Sequence, residues 1–160
     1  MQVFSANDIV EVAVRIEENG INFYNFAQQI AKTEDAKKLF TQLAQAEAAH
    51  KRTFEKFFAS MEKYDPPEQY AGEYSAYLRS YVDNNLIFTK EIMDKQLAKV
   101  TDTLAAFEFA MQRELDSILY YHEIKNLIPA GQHDAIEKII EEERKHYAIL
   151  CDMKKRYTNQ

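Results

Sequence analysis

A chain of 160 residues, 46% of them hydrophobic, is long enough to bury a sizeable core by packing alone. Its formal net charge of −6 is made of interspersed acidic and basic residues, which leaves no basic stripe for nucleic acid or an anionic membrane. The single cysteine, Cys151, excludes an intramolecular disulfide and every multi-cysteine metal site, and its solitary use fits a reducing, cytoplasmic compartment.

Only three glycines and three prolines punctuate the chain, and apolar residues recur at spacings of three and four almost throughout, which is the helical period. The N-terminal segment carries Asp8, Glu11 and Arg15 inside its apolar pattern, so it reads as an amphipathic helix and not as a signal peptide. That first helix is predicted from about Ser5, with Asp8 placed as in a capping box, to about Ala31. Thr33-Glu34-Asp35 caps a second helix that reaches about Tyr64, where Asp65-Pro66-Pro67 stops it. Residues 68–100, rich in tyrosine and partly helical, are too many for a tight turn. A helix of about 28 residues is roughly 40 Å long, so such a connector can travel back along it and leave the second and third helices parallel. Its tyrosines serve either as cover for the bundle or as a dimer surface. The third helix is predicted from Thr101 or Asp102 to Pro129-Ala130-Gly131, and the fourth from about Asp134, with Glu137 closing its cap, to about Tyr157. No run approaches membrane-spanning length. The reading is an all-α chain, one domain over residues 1–160, built as a four-helix bundle with one long, partly helical crossover between helices two and three.

The chain repeats itself. A shift of 97 lays Glu11, Ala13, Glu17, Ile21 and Tyr24 on Glu108, Ala110, Glu114, Ile118 and Tyr121. A shift of 96 lays Phe40, Leu43, Glu47, His50 and Phe54 on Ile136, Ile139, Glu143, His146 and Leu150. Two related helical hairpins follow, and each apolar stripe is interrupted at the same height: by Glu17, by Glu47 and His50, by Glu114, and by Glu143 and His146.

Four buried carboxylates need compensation, because an isolated ionised one costs several kcal/mol or more to bury. No lysine or arginine shares those stripes. Two divalent ions would match the four glutamates in charge, with neutral His50 and His146 adding one nitrogen each. One glutamate from each of two helices and a Glu-x-x-His from each of the other two is the ligand set of di-iron and di-manganese carboxylate bundles. A single Glu-x-x-His is a weak signal; its recurrence, with Glu17 to Glu47 separated by 30 and Glu114 to Glu143 by 29, is the strong one. Tyr24 and Tyr121, two turns beyond Glu17 and Glu114, either hydrogen-bond a ligand or pack in the core. Gly20 and Ser117, one turn beyond the same glutamates, either leave room above the metals for a small substrate or ease helix packing. His122 and His133 are read as solvent-facing, and Cys151 as a buried or half-buried hydrophobe. The run Glu141-Glu142-Glu143 reads by default as a solvated face.

The segments "RIEENGINFYNFA", "AEAAHK", "QRELDSILYYHEIKNLIP" and "EEERKHY" resemble the rubrerythrin-like branch of the ferritin-like superfamily, and the similarity covers essentially the whole chain. The resemblance implies a ferritin-like fold and a non-haem di-iron centre, with Glu17, Glu47, His50, Glu114, Glu143 and His146 as metal ligands and catalytic through the metals. Rubrerythrins use hydrogen peroxide as oxidant; for this chain hydrogen peroxide or dioxygen is the expected oxidant, and a homodimer the expected assembly. Full rubrerythrins receive electrons through a C-terminal rubredoxin domain. The four cysteines of that domain are not in this sequence, so a separate rubredoxin-like donor protein is expected. Met111 stands where rubrerythrins carry a further glutamate linked to redox-driven iron movement, which leaves a six-ligand set closer to simple ferroxidase sites. Three functions follow: a peroxide- or oxygen-reactive oxidoreductase, a ferroxidase that handles iron, and a metal-free helical interaction module. Iron, manganese and zinc all suit these donors.

Overall fold

The computed structural model describes residues 6–61, 73–85 and 90–159. Helix α1 (Ala6–Ile30) and α2 (Glu34–Met61) form one hairpin; α5 (Thr103–Ile124) and α6 (His133–Thr158) form the other; α3 (Glu73–Asn85) and α4 (Lys90–Leu97) lie on the crossover between them. No strand occurs among the described residues, and none of their helices is long and apolar enough to cross a membrane. Ser5 and the Tyr64 to Pro67 stop lie outside the described residues.

Side-chain pairs fix the relative directions of three of the four long helices. Glu17 meets His50 while Tyr24 stacks on Phe40, so α1 and α2 are antiparallel; Glu17 meets Tyr121 while Tyr24 meets Glu114, so α1 and α5 are antiparallel too. It follows that α2 and α5 run parallel, as the length of the crossover predicts. The crossover covers the bundle: Leu78, Tyr81 and Val82 are buried, Tyr81 stacks on Tyr120, and its hydroxyl donates to the Asp116 carbonyl at 2.6 Å.

Local chemistry sets the ends. Thr33 Oγ1 accepts from the Ala36 amide at 3.3 Å, and Asp102 Oδ1 accepts from the Ala105 amide at 2.8 Å, each satisfying a donor that the first helical turn leaves open. Thr103 Oγ1 accepts from the Lys32 amide at 3.0 Å and ties the first hairpin's turn to the start of α5. Two boundaries differ from expectation. The third long helix stops at Ile124, not Pro129, because the chain tightens into a 3-10 turn over Lys125–Leu127 and Ile128, ahead of proline, is extended. Glu137 does not close the cap of α6; its carboxylate pairs with Lys125 Nζ at 2.7 Å, and Gln132 holds the cap position without a side-chain bond to the helix amides, its amide donating instead to Ser60 Oγ.

Among the described residues, two apolar clusters are stacked along the bundle. One gathers Ile9, Phe54, Met61, Tyr120, Ile136 and Ile140 beneath the crossover; the other gathers Phe23, Ala27, Phe40, Phe107, Ala110 and Leu150. On α5 the buried face runs through Thr103, Ala106, Phe107 and Ala110, whose small members let neighbouring helices close in, while Met111 and Ile118 sit at its margins. Between the clusters lies a layer of buried Glu17, Glu47, His50, Glu114 and Glu143. Phe107 is fully buried against Phe40 and Tyr157. Phe107→Ala is expected to cost about 3–5 kcal/mol of unfolding free energy, to be read from denaturant melts of the variant beside the parent chain.

Candidate metal centre

Each helix delivers its polar residue at the same level because the spacings of 30 and 29 between glutamates match a walk up one helix, through a short turn and down the next. All six predicted residues meet there. His50 Nδ1 lies 3.0 Å from Glu143 Oε1, 3.6 Å from Glu17 Oε2 and 3.9 Å from Glu47 Oε2. His146 Nδ1 lies 3.2 Å from Glu143 Oε2, 3.7 Å from Glu114 Oε2 and 3.9 Å from Glu47 Oε1. Glu47 and Glu143 thus send one oxygen to each side, whereas Glu17 and Glu114 each serve one side. The two imidazole rings face each other at 5.8 Å.

Two four-residue groups result, Glu17, Glu47, His50 and Glu143, and Glu47, Glu114, Glu143 and His146, each with its donor atoms within 4.8 Å of one another. Glu17 Oε2, His50 Nδ1, Glu114 Oε2 and Glu143 Oε1 are buried without a hydrogen-bond partner. Orphaned buried acceptors are costly, and here they converge on two points. Hard carboxylate oxygens beside imidazole nitrogens suit iron, manganese or zinc, so the residues fit a pair of divalent ions.

The tyrosines resolve into hydrogen bonds that cross between hairpins. Tyr24, on the helix of Glu17, donates to Glu114 Oε1; Tyr121, on the helix of Glu114, donates to Glu17 Oε1. Burial first, and then the carboxylate each one touches, pushes both phenols well above their ordinary pKa, so both remain donors. Each tyrosine occupies the outer oxygen of a glutamate and leaves the inner one to face the cluster. Gly20 serves close approach: a Cβ there would stand 3.1 Å from Glu47 Cγ, and 3.3 Å from its Oε2. It also opens a cleft between α1 and α5, lined by Asn19, Gly20, Ser117 and Tyr81, that reaches Glu47 and Glu114 and has about 40 Å³ of internal room.

Glu142 is the functional neighbour that sequence reasoning missed. Its Oε2 lies 2.8 Å from His50 Nε2, on the side of the ring facing away from the cluster. The acidic run masked it, although its position next to a buried Glu143 is a signal. His133 is half-buried instead of solvent-facing, because its Nε2 reaches the Ile128 carbonyl at 3.2 Å. His122 is exposed beside Arg144, and Cys151 is half-buried.

Protons substitute for metal in the cluster's charge balance. Burial, then the charge of Glu47, raises Glu17; burial, then Glu143, raises Glu114. Burial opposes charge on the imidazoles, but contacts with Glu143, Glu17 and Glu47 raise His50 well above its ordinary value, and Glu114 and Glu143 push His146 up to about 10. Burial and Glu47 act to raise Glu143, and its close polar contacts with Glu114, His146 and His50 outweigh them and hold it low. Glu17, Glu114, His50 and His146 therefore bind protons more tightly folded than unfolded. Their stabilisation is complete below the unfolded values and is lost as pH climbs toward the folded ones; for His146 that decline spans 6.5 to about 10. Glu143, with its lowered value, acts only below the ordinary glutamate range and has no effect in that window. Chelated protein is expected to melt at progressively lower temperature as pH rises above 6.5. The increase in melting temperature on adding manganese(II) should grow in the same direction, since metal displaces those protons. Differential scanning calorimetry across the pH series checks both.

The family model for rubrerythrin matches residues 8–154, a span that holds all six clustered residues. None of the curated proteins matches the chain. Among solved structures, a ferritin-like diiron-carboxylate protein from Thermotoga maritima is 26% identical, with a TM-score of 0.67 over 97% of each chain. The fold, the duplicated Glu-x-x-His and the family match agree, and the chain belongs to the rubrerythrin family.

Proposed function

We propose that this protein is a non-haem di-iron oxidoreductase whose centre reacts with hydrogen peroxide or dioxygen. The observation that carries the reading is the division of labour among the carboxylates, two shared and two terminal, with an imidazole Nδ1 on each side. Glu17 and His50 would hold one ion, Glu114 and His146 the other, and Glu47 and Glu143 would serve both. Two ferrous ions, when bound, supply the two electrons that turn hydrogen peroxide and two protons into two waters.

The chain's own residues prepare that site. Tyr24 and Tyr121 fix the rotation of the terminal glutamates by occupying their outer oxygens. The apolar clusters on either side exclude bulk water and strengthen the electrostatics within. The cleft past Gly20 and Ser117 reaches Glu47 and Glu114, which gives a small oxidant a way in to the carboxylates. Return of electrons is assigned to a separate rubredoxin-like protein in the cytoplasm. Leu115 and Leu119, exposed four residues apart on α5, support a homodimer as the working form.

A second reading, ferroxidase, draws on Met111, which packs half-buried with the Phe40 and Phe107 cluster where a seventh ligand would otherwise stand. Anaerobic loading with ferrous ion and stopped-flow mixing separates the two. Oxidation of two irons per chain much faster by peroxide than by oxygen is the expected result; preference for oxygen with uptake beyond two irons supports the ferroxidase. Protein that binds no metal, with a melting point indifferent to iron, is the helical module instead. Glu143→Ala should abolish tight binding of both ions, while Glu17→Ala should leave about one per chain, by elemental analysis after desalting.

A further inference from the structure

The cluster is nearly twofold symmetric. The repeat relates Glu17 to Glu114, Tyr121 to Tyr24, Glu47 to Glu143 and His50 to His146; the crossed tyrosine bonds and the two donor sets mirror one another, although both imidazoles sit nearer Glu143 than Glu47. Beyond the imidazoles the symmetry fails. His50 Nε2 lies 2.8 Å from Glu142 Oε2, whereas the shift of 96 that lays Glu47 on Glu143 lays Ala46 on Glu142. Alanine carries no acceptor. Among the described residues, the hydrogen bonds of His146 involve Nδ1, and no counterpart carboxylate stands behind its Nε2. The His50 side chain is also more enclosed, at 3% exposure against 12% for His146.

We infer that the two metal positions are unequal, and that Glu142 makes the His50 position the tighter one, filled first. The inference rests on the metal-centre reading above. A carboxylate accepting from the remote N–H of an imidazole fixes the tautomer with its lone pair on Nδ1, orients the ring and makes that nitrogen more basic. Both positions otherwise draw on the same donor set of one terminal glutamate, two shared glutamates and one Nδ1. Outer partners of this kind change metal affinity by about 10–100-fold, so the difference survives although Glu142 is half exposed. Glu142 is thus a positioning residue, acting on the metal through His50.

Cobalt(II), whose visible absorption reports each ion's ligand field, tests this without turnover. Titrating chelated full-length protein should give two steps separated by about tenfold or more. Glu142→Ala should weaken the first step by about tenfold or more and leave the second within about twofold, because both imidazoles then lack an outer carboxylate. A structural role alone would move both steps together, and circular dichroism of the chelated variant reads the fold separately. Two bound ions whose steps Glu142→Ala leaves unmoved, or weakens equally, overturn the inference and leave the metal centre standing. Absence of cobalt binding by the parent chain removes both.

Discussion

Four glutamates held within a few ångströms of one another, in a layer with apolar packing above and below, set the problem that the rest of this structure answers. Glu17, Glu47, Glu114 and Glu143 are all nearly inaccessible, and a single ionised carboxylate in such surroundings costs several kcal/mol. Hydrophobic burial elsewhere in the bundle must carry that cost, and the two clusters of aromatic and branched side chains are placed to do so. Compensation comes from within the layer. Without metal, protons on Glu17, Glu114 and both imidazoles reduce the repulsion; with two cations, Glu17 Oε2, His50 Nδ1, Glu114 Oε2 and Glu143 Oε1 gain the partners they lack.

The duplicated hairpin explains how one chain builds such a layer. Each hairpin contributes a glutamate from its first helix and a Glu-x-x-His from its second, and the antiparallel contact of α1 with α5 lets a tyrosine from each hairpin reach the terminal glutamate of the other. Each hairpin therefore relies on the other's tyrosine to hold its terminal glutamate. The crossover adds a roof, with Tyr81 against Tyr120 and bonded to α5, next to the cleft that leads to the carboxylates.

Much of this was legible in the sequence because helical periodicity is local and the chain has little punctuation. The long helices, the parallel return demanded by residues 68–100, and the common level of six polar residues all follow from spacing. What escaped depends on partners far along the chain. Spacing alone does not separate packing from hydrogen bonding for the tyrosines, because their acceptors sit about a hundred residues away on the opposite hairpin. Glu142 was hidden in an acidic run, since only tertiary structure turns one of three consecutive glutamates toward His50. Glu137 went to Lys125 and His133 to a carbonyl, both in the turn between α5 and α6, where local capping rules lost to nearby partners.

Anomalous diffraction at the iron edge, from crystals grown anaerobically with ferrous ion, addresses the charge balance most directly. Two peaks are expected, one enclosed by Glu17, Glu47, His50 and Glu143 and the other by Glu47, Glu114, Glu143 and His146. An electron-density map in which those side chains turn to solvent, or surround no anomalous signal, would contradict the claim that paired cations hold this acidic layer together.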